Sequence, residues 1–347
     1  MLPYLTSQPP WFSFLIHPRD IQDLHQVGGS SLIAEHSADD EEFRDKMCSM
    51  PPTIMGSVTF GLSPAWGELV GVMRMPGQIL RPAGQRQIAE GVRLAAGRGA
   101  KVIGLGALTA PATKGGQTLL PGLPRGVTLT TGNAFTAAIA CGNVTEAAGP
   151  NGASVAVVGC HGSVGTAASR LLATTTGMDL LLVGRTVSRI ERQLPDLLPQ
   201  ARVSANLGDI AAADVVLLLT SDSSALITPG LPRPGSVVID LAHPANIPVS
   251  SYDEFLAKGV TVVQGGLVEL PNYHSTTDFR LPSRRAALAC LAETYLFARE
   301  GIREHSVGPA TTELATQLLE IAARNGIRPW PLGLVAQVPQ APIPVAG

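Results

Sequence analysis

The sequence predicts an α/β protein in which a Rossmann-type, doubly wound parallel sheet is joined to an α/β substrate domain that C-terminal helices complete. Three observations support this fold class. The chain has 347 residues, 45% hydrophobic and only 15% charged, which suits about two domains with buried cores. After residue 150, short apolar segments alternate with helical ones, as in βαβ units. A glycine-rich turn joins the first of these strands to a helix.

The first 149 residues are predicted to form the substrate domain. Residues 1–50 read as irregular, and Pro52–Gly71 carries short apolar runs broken by glycine and proline, which favours strands and turns. Apolar residues recur at helical spacing in Pro82–Arg98. A buried strand is expected at Lys101–Leu105, and an Ala-rich helix is expected to end near Ala148.

Residues 150–280 are predicted to form the Rossmann domain, with right-handed crossovers between parallel strands. The predicted strands are Ser154–Val158, Leu180–Val183, Val215–Leu219, Val237–Asp240 and Val260–Gln264. Residues 281–347 are predicted to supply C-terminal helices that pack back on the substrate domain and carry Cys290. These helices are Ser283–Arg299 and Thr311–Asn325.

A dinucleotide-binding loop is predicted where the first Rossmann strand ends. The turn has G-x-x-G-x-x-G spacing, and a helix follows it directly. Glycines let the backbone turn sharply and approach a pyrophosphate at the positive helix N-terminus. The alternative is a glycine-rich turn that only packs the strand on the helix. The predicted loop residues are Gly159, Cys160, His161, Gly162, Ser163, Val164 and Gly165.

The end of the second Rossmann strand indicates which dinucleotide binds. It reads Gly184, Arg185, Thr186, with Arg189 close behind and no carboxylate. NAD binders place an acid here for the ribose 2′-OH, whereas arginine suits the 2′-phosphate of NADP. NADPH is therefore favoured, and a solvated helix-start role for Arg185 is the alternative. Nicotinamide contacts are expected at the end of the predicted strand Val215–Leu219, at Thr220 and Ser221.

The chain has four cysteines, Cys48, Cys141, Cys160 and Cys290. None forms a C-x-x-C pair or a metal-like cluster, so no metal site is expected. Cys290 shares one face of the predicted helix with Glu293, and Arg284 and Arg285 near the helix start could lower the pKa of its thiol. A cysteine in such an Ala/Leu-rich helix is more often a packing residue. The residues alone leave both roles open.

Five short segments, spread over a region from about His17 to Pro331, carry a family resemblance. They are LGALTA (105–110), TTGN (130–133), VAVVG-x-x-G-x-x-G (155–165), GGLVE (265–269) and ACLAE (289–293). Their order and spacing resemble the long-chain acyl-[acyl-carrier-protein] reductases of cyanobacteria, which make fatty aldehydes with NADPH.

The resemblance implies that Cys290 takes up an acyl group, which NADPH then reduces to an aldehyde. Cys290 must then face the nicotinamide, which requires the C-terminal helices to fold back onto the N-terminal part. The implied substrate is an acyl thioester on acyl carrier protein or CoA. An enzyme that consumes the aldehyde would be a further partner.

Four other residues are candidates for the reaction. Thr131 and Asn133 stand where a loop enters a helix, so the Asn133 amide could bond a substrate carbonyl or only cap the helix. His243 follows the predicted strand Val237–Asp240 and could donate a proton or only occupy a turn. Glu293 could orient or deprotonate Cys290, or it could satisfy a buried polar contact.

Three departures from the family pattern leave the acyl chain, its carrier and the proton donor open. Ala134-Phe135 stands for Thr-His, Leu241–Ala245 for Gly-Gly-Tyr-Pro-Lys, and Leu270 for a histidine. One rival function is an NADP-linked dehydrogenase of an alcohol, imine or hydroxy acid, with Cys290 structural. Another is an NADPH-binding sensor without catalysis.

Charge and composition exclude other classes. The formal net charge of −2 offers no electrostatic footprint for nucleic acid. No apolar run reaches the roughly 18–20 residues of a membrane span. Sparse cysteines without disulfide-like spacing, and the lack of a basic signal-peptide region, predict a cytoplasmic protein.

Overall fold

The computed structural model describes residues 9–60, 66–175, 177–220, 227–242 and 245–333. Its strands are β1 (Phe12–Ile16), β2 (Thr53–Thr59), β3 (Trp66–Gly71), β4 (Val102–Leu105), β5 (Thr128–Thr130), β6 (Ala153–Val158), β7 (Met178–Val183), β8 (Ala201–Ser204), β9 (Val215–Leu218), β10 (Val237–Asp240), β11 (Thr261–Gln264), β12 (Leu267–Glu269), β13 (His274–Ser275), β14 (Ala286–Leu288) and β15 (Arg328–Pro329).

The helices connect and cover these strands. They are α1 (Ile21–Leu24), α2 (Ser30–Glu35), α3 (Asp40–Ser49), α4 (Pro76–Ile79), α5 (Pro82–Gly97), α6 (Thr109–Ala112), α7 (Asn133–Ala148), α8 (Ser163–Ala173), α9 (Val187–Gln193), α10 (Tyr252–Ala257), α11 (Ala289–Glu300) and α12 (Thr312–Arg324). Short 3₁₀ turns occupy Gln117–Gly122, Pro195–Leu197, Leu207–Ala212 and Val249–Ser251.

The first sheet is built around β1 and has the order β13-β2-β3-β1-β4-β5. Strands β3, β1, β4 and β5 are parallel, and β2 and β13 pair antiparallel at one edge. All five residues of β1 are buried. Phe14 belongs to the core beneath α11, whereas Leu15 belongs to the core beneath α5. Helices thus cover both faces, which is why the strand is almost continuously apolar.

The second sheet is entirely parallel and has the order β11-β10-β9-β6-β7-β8. This is the strand order of a doubly wound Rossmann fold, whose ligands bind at the carboxyl ends of the strands where the order reverses. Here the reversal lies between β6 and β9. The predicted α/β fold class is confirmed.

The edge strand β8 was not among the strands predicted from apolar runs. Of its four residues, only Ser204 is buried. Edge strands of this kind lack the continuous apolar signal of a central strand.

The predicted helix Ser283–Arg299 is wrong at its start. Ala286–Leu288 instead form β14, which pairs antiparallel with β12, and α11 begins at Ala289. Alanine and leucine favour helix locally, but these residues pair with one edge of β12. Strand β15 pairs with the other edge of β12, which completes a three-stranded sheet. Cys290 is therefore the second residue of α11, not a residue of its middle.

The C-terminal elements contact the earlier part of the chain. Helix α11 packs on β1, β4 and α7, while α12 packs on α7 and α8. The approach of α11 to β4 is close, since a Cβ added at Gly104 would lie 2.1 Å from the Thr294 hydroxyl oxygen. In the described part of the chain, no helix has the length and apolar character that crossing a bilayer requires.

Candidate active site

A cleft collects the carboxyl ends of strands from both six-stranded sheets. Its empty space is about 810 Å³, part of which is open to solvent. Its walls come from the segments that follow β4, β5, β9 and β10, and from the starts of α7, α8 and α11. The residues used below that line it are Ala107, Leu108, Thr131, Asn133, Val164, Thr220, Leu288 and Cys290.

Cys290 lies at the N-terminus of α11 and lines this cleft, with part of its surface accessible. The pKa of the thiol is raised to about 12, chiefly by burial and in part by the nearby Glu293. Hydrogen bonds from backbone amides, including those of Leu291 and Ala107, act in the opposite direction. The positive helix N-terminus likewise favours negative charge at this position. The resting thiol is protonated, but donors that would stabilise its anion surround it.

Ala107 is held in an unusual backbone conformation, with φ of 47°. A non-glycine residue in this region is strained, and such strain persists only where neighbouring contacts fix it. His17 supplies one such contact, because its Nε2 accepts a hydrogen bond of 3.3 Å from the backbone N–H of Leu108. The Nδ1 of the same ring bonds the carbonyl of Pro18 at 2.9 Å. His17 therefore fixes the loop that brings the Ala107 amide to Cys290.

Burial also lowers the pKa of His17 to about 4, so the ring is neutral at ordinary pH. A neutral ring can donate from Nδ1 and accept at Nε2, which is the pattern that its two partners require.

Glu293 is completely buried and caps helix α7 rather than contacting the thiol. Its carboxylate accepts the backbone N–H groups of Gly132 at 3.1 Å and Phe135 at 2.8 Å. It also accepts the hydroxyl of Thr130. Burial raises the pKa of Glu293, and these donors lower it. The carboxylate joins the start of α7 to α11, so its chemistry is that of a buried polar contact.

Gly132 is the residue that allows the two helix N-termini to meet. It has φ of 73°, and a Cβ added there would lie 2.1 Å from the Cβ of Cys290. Only glycine accepts both the left-handed conformation and this approach. The TTGN segment was noted in the sequence, but the steric role of its glycine was not.

Thr131 and Asn133 differ in how far their side chains are engaged. The hydroxyl of Thr131 donates to the carbonyl of Ser306 at 3.2 Å. Asn133 is the first residue of α7. The N-cap residue before it, Gly132, has no side chain that could cap the helix. The cap is supplied by Glu293, so the Asn133 amide has no capping role. It lines the cleft without a hydrogen bond to any residue that the structure describes.

The glycines of the predicted dinucleotide loop have different tasks. Gly159 has φ of 86°, and a Cβ added at Gly165 would lie 2.3 Å from the Gly159 carbonyl oxygen. These two shape the turn and pack α8 against it. Gly162, the N-cap of α8, has no side-chain cap, and a Cβ added there would lie 3.3 Å from the Gly159 carbonyl oxygen, a tight contact. The N–H of Gly162 donates to that carbonyl at 2.9 Å. The free backbone donors at the start of α8 therefore begin at Ser163, where a bound pyrophosphate would be placed.

Two other loop residues, and the residues that follow the second strand of this sheet, differ in what they can offer a ligand. Val164 reaches the cleft, but the side chain of Cys160 is buried in the core, where burial raises its pKa to about 12. Cys160 can therefore offer a ligand only its backbone. After β7, Arg185, Thr186 and Arg189 are exposed. The two guanidinium groups make no ion pair with any described residue, so both are available to an anion.

The remaining predicted residues divide into two groups. Thr220 lines the cleft, whereas Ser221 and His243 lie outside the described residues. Arg284 and Arg285 precede β14 and are exposed, and Arg285 pairs with Glu269. They do not flank the start of the helix that carries Cys290, because that helix begins later than predicted.

A second, apolar cavity adjoins the cleft and offers about 560 Å³. Ala107 and Leu288 line both spaces. Its apolar walls include Phe14, Ile16, Met55 and Phe279. At its other side lie Arg19 and Asp23, whose side chains form an ion pair of 2.7 Å.

Comparison with known proteins finds partial sequence similarity to an enzyme. No protein-family model matches the chain. The long-chain acyl-[acyl-carrier-protein] reductase of Synechococcus elongatus is 29% identical over 220 residues, which cover 59% of this chain and 63% of that protein. The match thus spans less than two thirds of the relative's length.

Solved structures share part of the fold. L-tryptophan dehydrogenase from Nostoc punctiforme has a TM-score of 0.37 and 14% identity over 72% of this chain and 68% of its own. The quinone oxidoreductase of Thermus thermophilus, solved with NADPH, has a TM-score of 0.30 and 20% identity over 41% of this chain and 48% of its own. By sequence, the chain is similar over part of its length to an acyl-carrier-protein reductase.

Proposed function

We propose that this protein is an NADPH-dependent reductase that converts an acyl thioester to an aldehyde through Cys290. The observation that carries the proposal is the position of this thiol. It lies at a helix N-terminus, beside backbone donors, in the cleft onto which the glycine loop opens. The partial similarity to an acyl-[acyl-carrier-protein] reductase supports a carrier-bound substrate, and CoA is the other carrier to test.

The residues at the glycine loop fit NADPH. The loop from Gly159 to Gly165 would hold the pyrophosphate, with the backbone N–H groups that begin at Ser163 facing it. Arg185, Thr186 and Arg189 would hold the 2′-phosphate, and Thr220 and Ser221 would flank the nicotinamide. The chemistry that this cofactor supplies when bound is hydride donation to an acyl carbonyl.

Cys290 provides the covalent step. Its sulfur attacks the thioester carbonyl, the bond to the carrier sulfur breaks, and the carrier leaves as a thiol with the proton that Cys290 gives up. Negative charge develops on the carbonyl oxygen beside the amides of Ala107 and Leu291, which are positioned to stabilise it. The alkoxide that hydride addition would leave on Cys290 then collapses, so that the carbon–sulfur bond breaks and the aldehyde leaves. The sulfur takes one proton from a donor, for which His243 is the candidate.

Other residues bind and orient the substrate. The Asn133 amide, and with it Thr131, would contact the acyl carbonyl from the start of α7. The apolar cavity would take the acyl chain, because it opens beside Cys290 at Ala107 and Leu288. Glu293 would position the thiol by joining α7 to α11, and His243 would be the proton donor if it reaches the cleft. In this scheme residues 1–149 with 281–347 form the substrate domain, and residues 150–280 hold the cofactor.

One observation favours a second function. The pKa of the Cys290 thiol is raised to about 12, which is the property of a packing cysteine. An NADP-linked alcohol, imine or hydroxy-acid dehydrogenase would use the same cleft without an acyl-enzyme.

The deciding experiment is intact-mass spectrometry after incubation with acyl-carrier-protein and acyl-CoA thioesters in the absence of NADPH. We expect one acyl adduct, lost in Cys290→Ala and retained in Cys141→Ala, the matched cysteine variant. Adding NADPH should remove the adduct and release the aldehyde. If Cys290→Ala still turns over alcohol or imine substrates, and no thioester modifies the protein, the dehydrogenase function replaces the proposed one.

A further inference from the structure

A cluster of basic side chains, His161, Arg185 and Arg189, forms where the glycine loop passes the end of β7. His161, from the loop, lies against Gly184, since a Cβ added to Gly184 would be 2.7 Å from the His161 Nδ1. Arg185 and Arg189 are near enough to act electrostatically on the His161 ring. Three nitrogen-bearing side chains therefore meet at one strand end.

These groups are not neutralised by the protein. No described acidic residue pairs with Arg185 or Arg189, and both side chains are exposed. The positive charge of the two guanidinium groups is therefore available to a ligand that binds at the carboxyl end of β7. An anion with several acceptor oxygens would satisfy them.

Neither ring nitrogen of His161 is hydrogen-bonded to a described residue, and the two differ in burial. Nδ1 is buried and has no hydrogen-bond partner, and Nε2 has none among the described residues either. Burial lowers the pKa of His161, and Arg189 and Arg185 lower it further, so the ring is neutral at ordinary pH. An orphaned buried N–H is rarer than an orphaned acceptor, which assigns the proton of the neutral ring to Nε2.

We infer that His161 is a specificity-determining residue for the cofactor, donating from Nε2 to the adenosine 2′-phosphate that Arg185 and Arg189 also bind. This inference rests on the NADPH part of the proposed function. It assigns to the glycine loop a second task, since the loop then contacts the phosphate that distinguishes NADPH from NADH as well as the pyrophosphate common to both.

The test compares two substitutions at one position by measuring binding. His161→Leu removes the donor, whereas His161→Gln keeps an N–H close to the place of Nε2. Dissociation constants for NADPH and NADH would be measured by titration calorimetry. Adenosine 2′,5′-bisphosphate and AMP would serve as probes that lack the nicotinamide. The readout is binding alone, so it does not depend on any thioester being a substrate.

We expect His161→Leu to weaken NADPH and the bisphosphate by about tenfold or more, the effect of one hydrogen bond to a charged group. NADH and AMP should bind the variant as they bind the native chain, and His161→Gln should retain most of the preference for NADPH. Equal loss of both dinucleotides, or no loss, would overturn the inference, as would failure of glutamine to restore the preference. If the native chain binds neither dinucleotide, the NADPH part of the proposed function fails as well. Failure of thioester reduction with intact NADPH preference would leave His161 as inferred.

Discussion

The carboxylate of Glu293, on α11, accepts the backbone N–H of Phe135 at 2.8 Å and so caps α7 from another part of the chain. The residue between the two helix starts, Gly132, donates to the same carboxylate. The nucleophile candidate and the wall that faces it are therefore held by one buried side chain.

Glu293→Gln should destabilise the protein by about 1–3 kcal/mol, because one amide oxygen cannot accept all the donors that the carboxylate satisfies. Urea unfolding measures the loss, and Glu304→Gln, an exposed site, is the control. Acylation of Cys290 should slow in parallel, because the thiol is no longer held against α7. Unchanged stability would show that the carboxylate is not a cap.

Gly132→Ala should lower the free energy of unfolding by more than the replacement of a left-handed glycine alone would. The new Cβ would lie 2.1 Å from the Cβ of Cys290 at φ of 73°. Gly126→Ala is the matched control, since Gly126 has φ of 77° and nothing within 4 Å of an added Cβ. We expect about 1–2 kcal/mol for the control from conformation only, and a larger loss of unfolding free energy for Gly132→Ala. Equal losses would mean that α11 shifts aside freely.

Gly162→Ala should separate cofactor binding from folding. The backbone of Gly162, with φ −75° and ψ 172°, suits any residue, and the new Cβ would meet the Gly159 carbonyl oxygen at 3.3 Å, a tight contact that a shift of a few tenths of an ångström relieves. Thermal stability should therefore fall only slightly, while NADPH binds at least about tenfold more weakly because the methyl group enters the phosphate site. Gly165→Ala, by contrast, should lower the thermal stability strongly, because its Cβ would lie 2.3 Å from the Gly159 carbonyl oxygen. Unweakened NADPH binding by Gly162→Ala would place the pyrophosphate elsewhere.

His17 should make stability depend on pH. Its pKa is lowered from 6.5 to about 4 in the folded protein, so the unfolded chain binds more protons between these values. Stability from this residue is complete above pH 6.5 and is lost as the pH falls toward 4, by about 3 kcal/mol in total. His17→Gln keeps an acceptor for Leu108 but does not titrate. Urea unfolding at pH 7.5 and pH 5 should show a smaller difference for this variant, and the same difference in both proteins would contradict the prediction.

The alkylation rate of Cys290 should rise with pH. Since the pKa of the thiol is about 12, the thiolate fraction grows by about tenfold per pH unit between pH 7 and 10. Iodoacetamide labelling followed by peptide mass spectrometry gives the rate at this one residue. A plateau reached below pH 9 would mean that the helix termini and amides already hold the thiolate in the resting protein.

Local sequence patterns were sufficient for five strands of the second sheet, for β4 and for the glycine loop. The interpretation of residues 1–50 as irregular was wrong, because they contain β1, an internal strand of the first sheet. The apolar runs of β6 and β9 and the spacing from Gly159 to Gly165 are direct consequences of burial and close packing. The edge strand β8 and the short β14 were missed, because pairing with a neighbour, not local composition, decides their conformation.

The candidate site was less accessible to such reasoning. Glu293 lies one helical turn from Cys290 in sequence, which suggested an interaction between them, yet its partners are on α7. The donor at Ala107 is a backbone group in a strained conformation, and no residue type signals it. Features created by contacts between distant segments require the folded structure.

Helix α7 contacts α8 and β9, and it also contacts α11 and α12. Its first turn abuts Cys290, while its body packs against the helix that begins at the glycine loop. A hinge that opened the cleft between the two large sheets would have to break the contacts of α7 either with α8 and β9 or with α11. The scaffold is therefore braced against bending, and ligand entry and product exit must depend on movement of the loops at the strand ends.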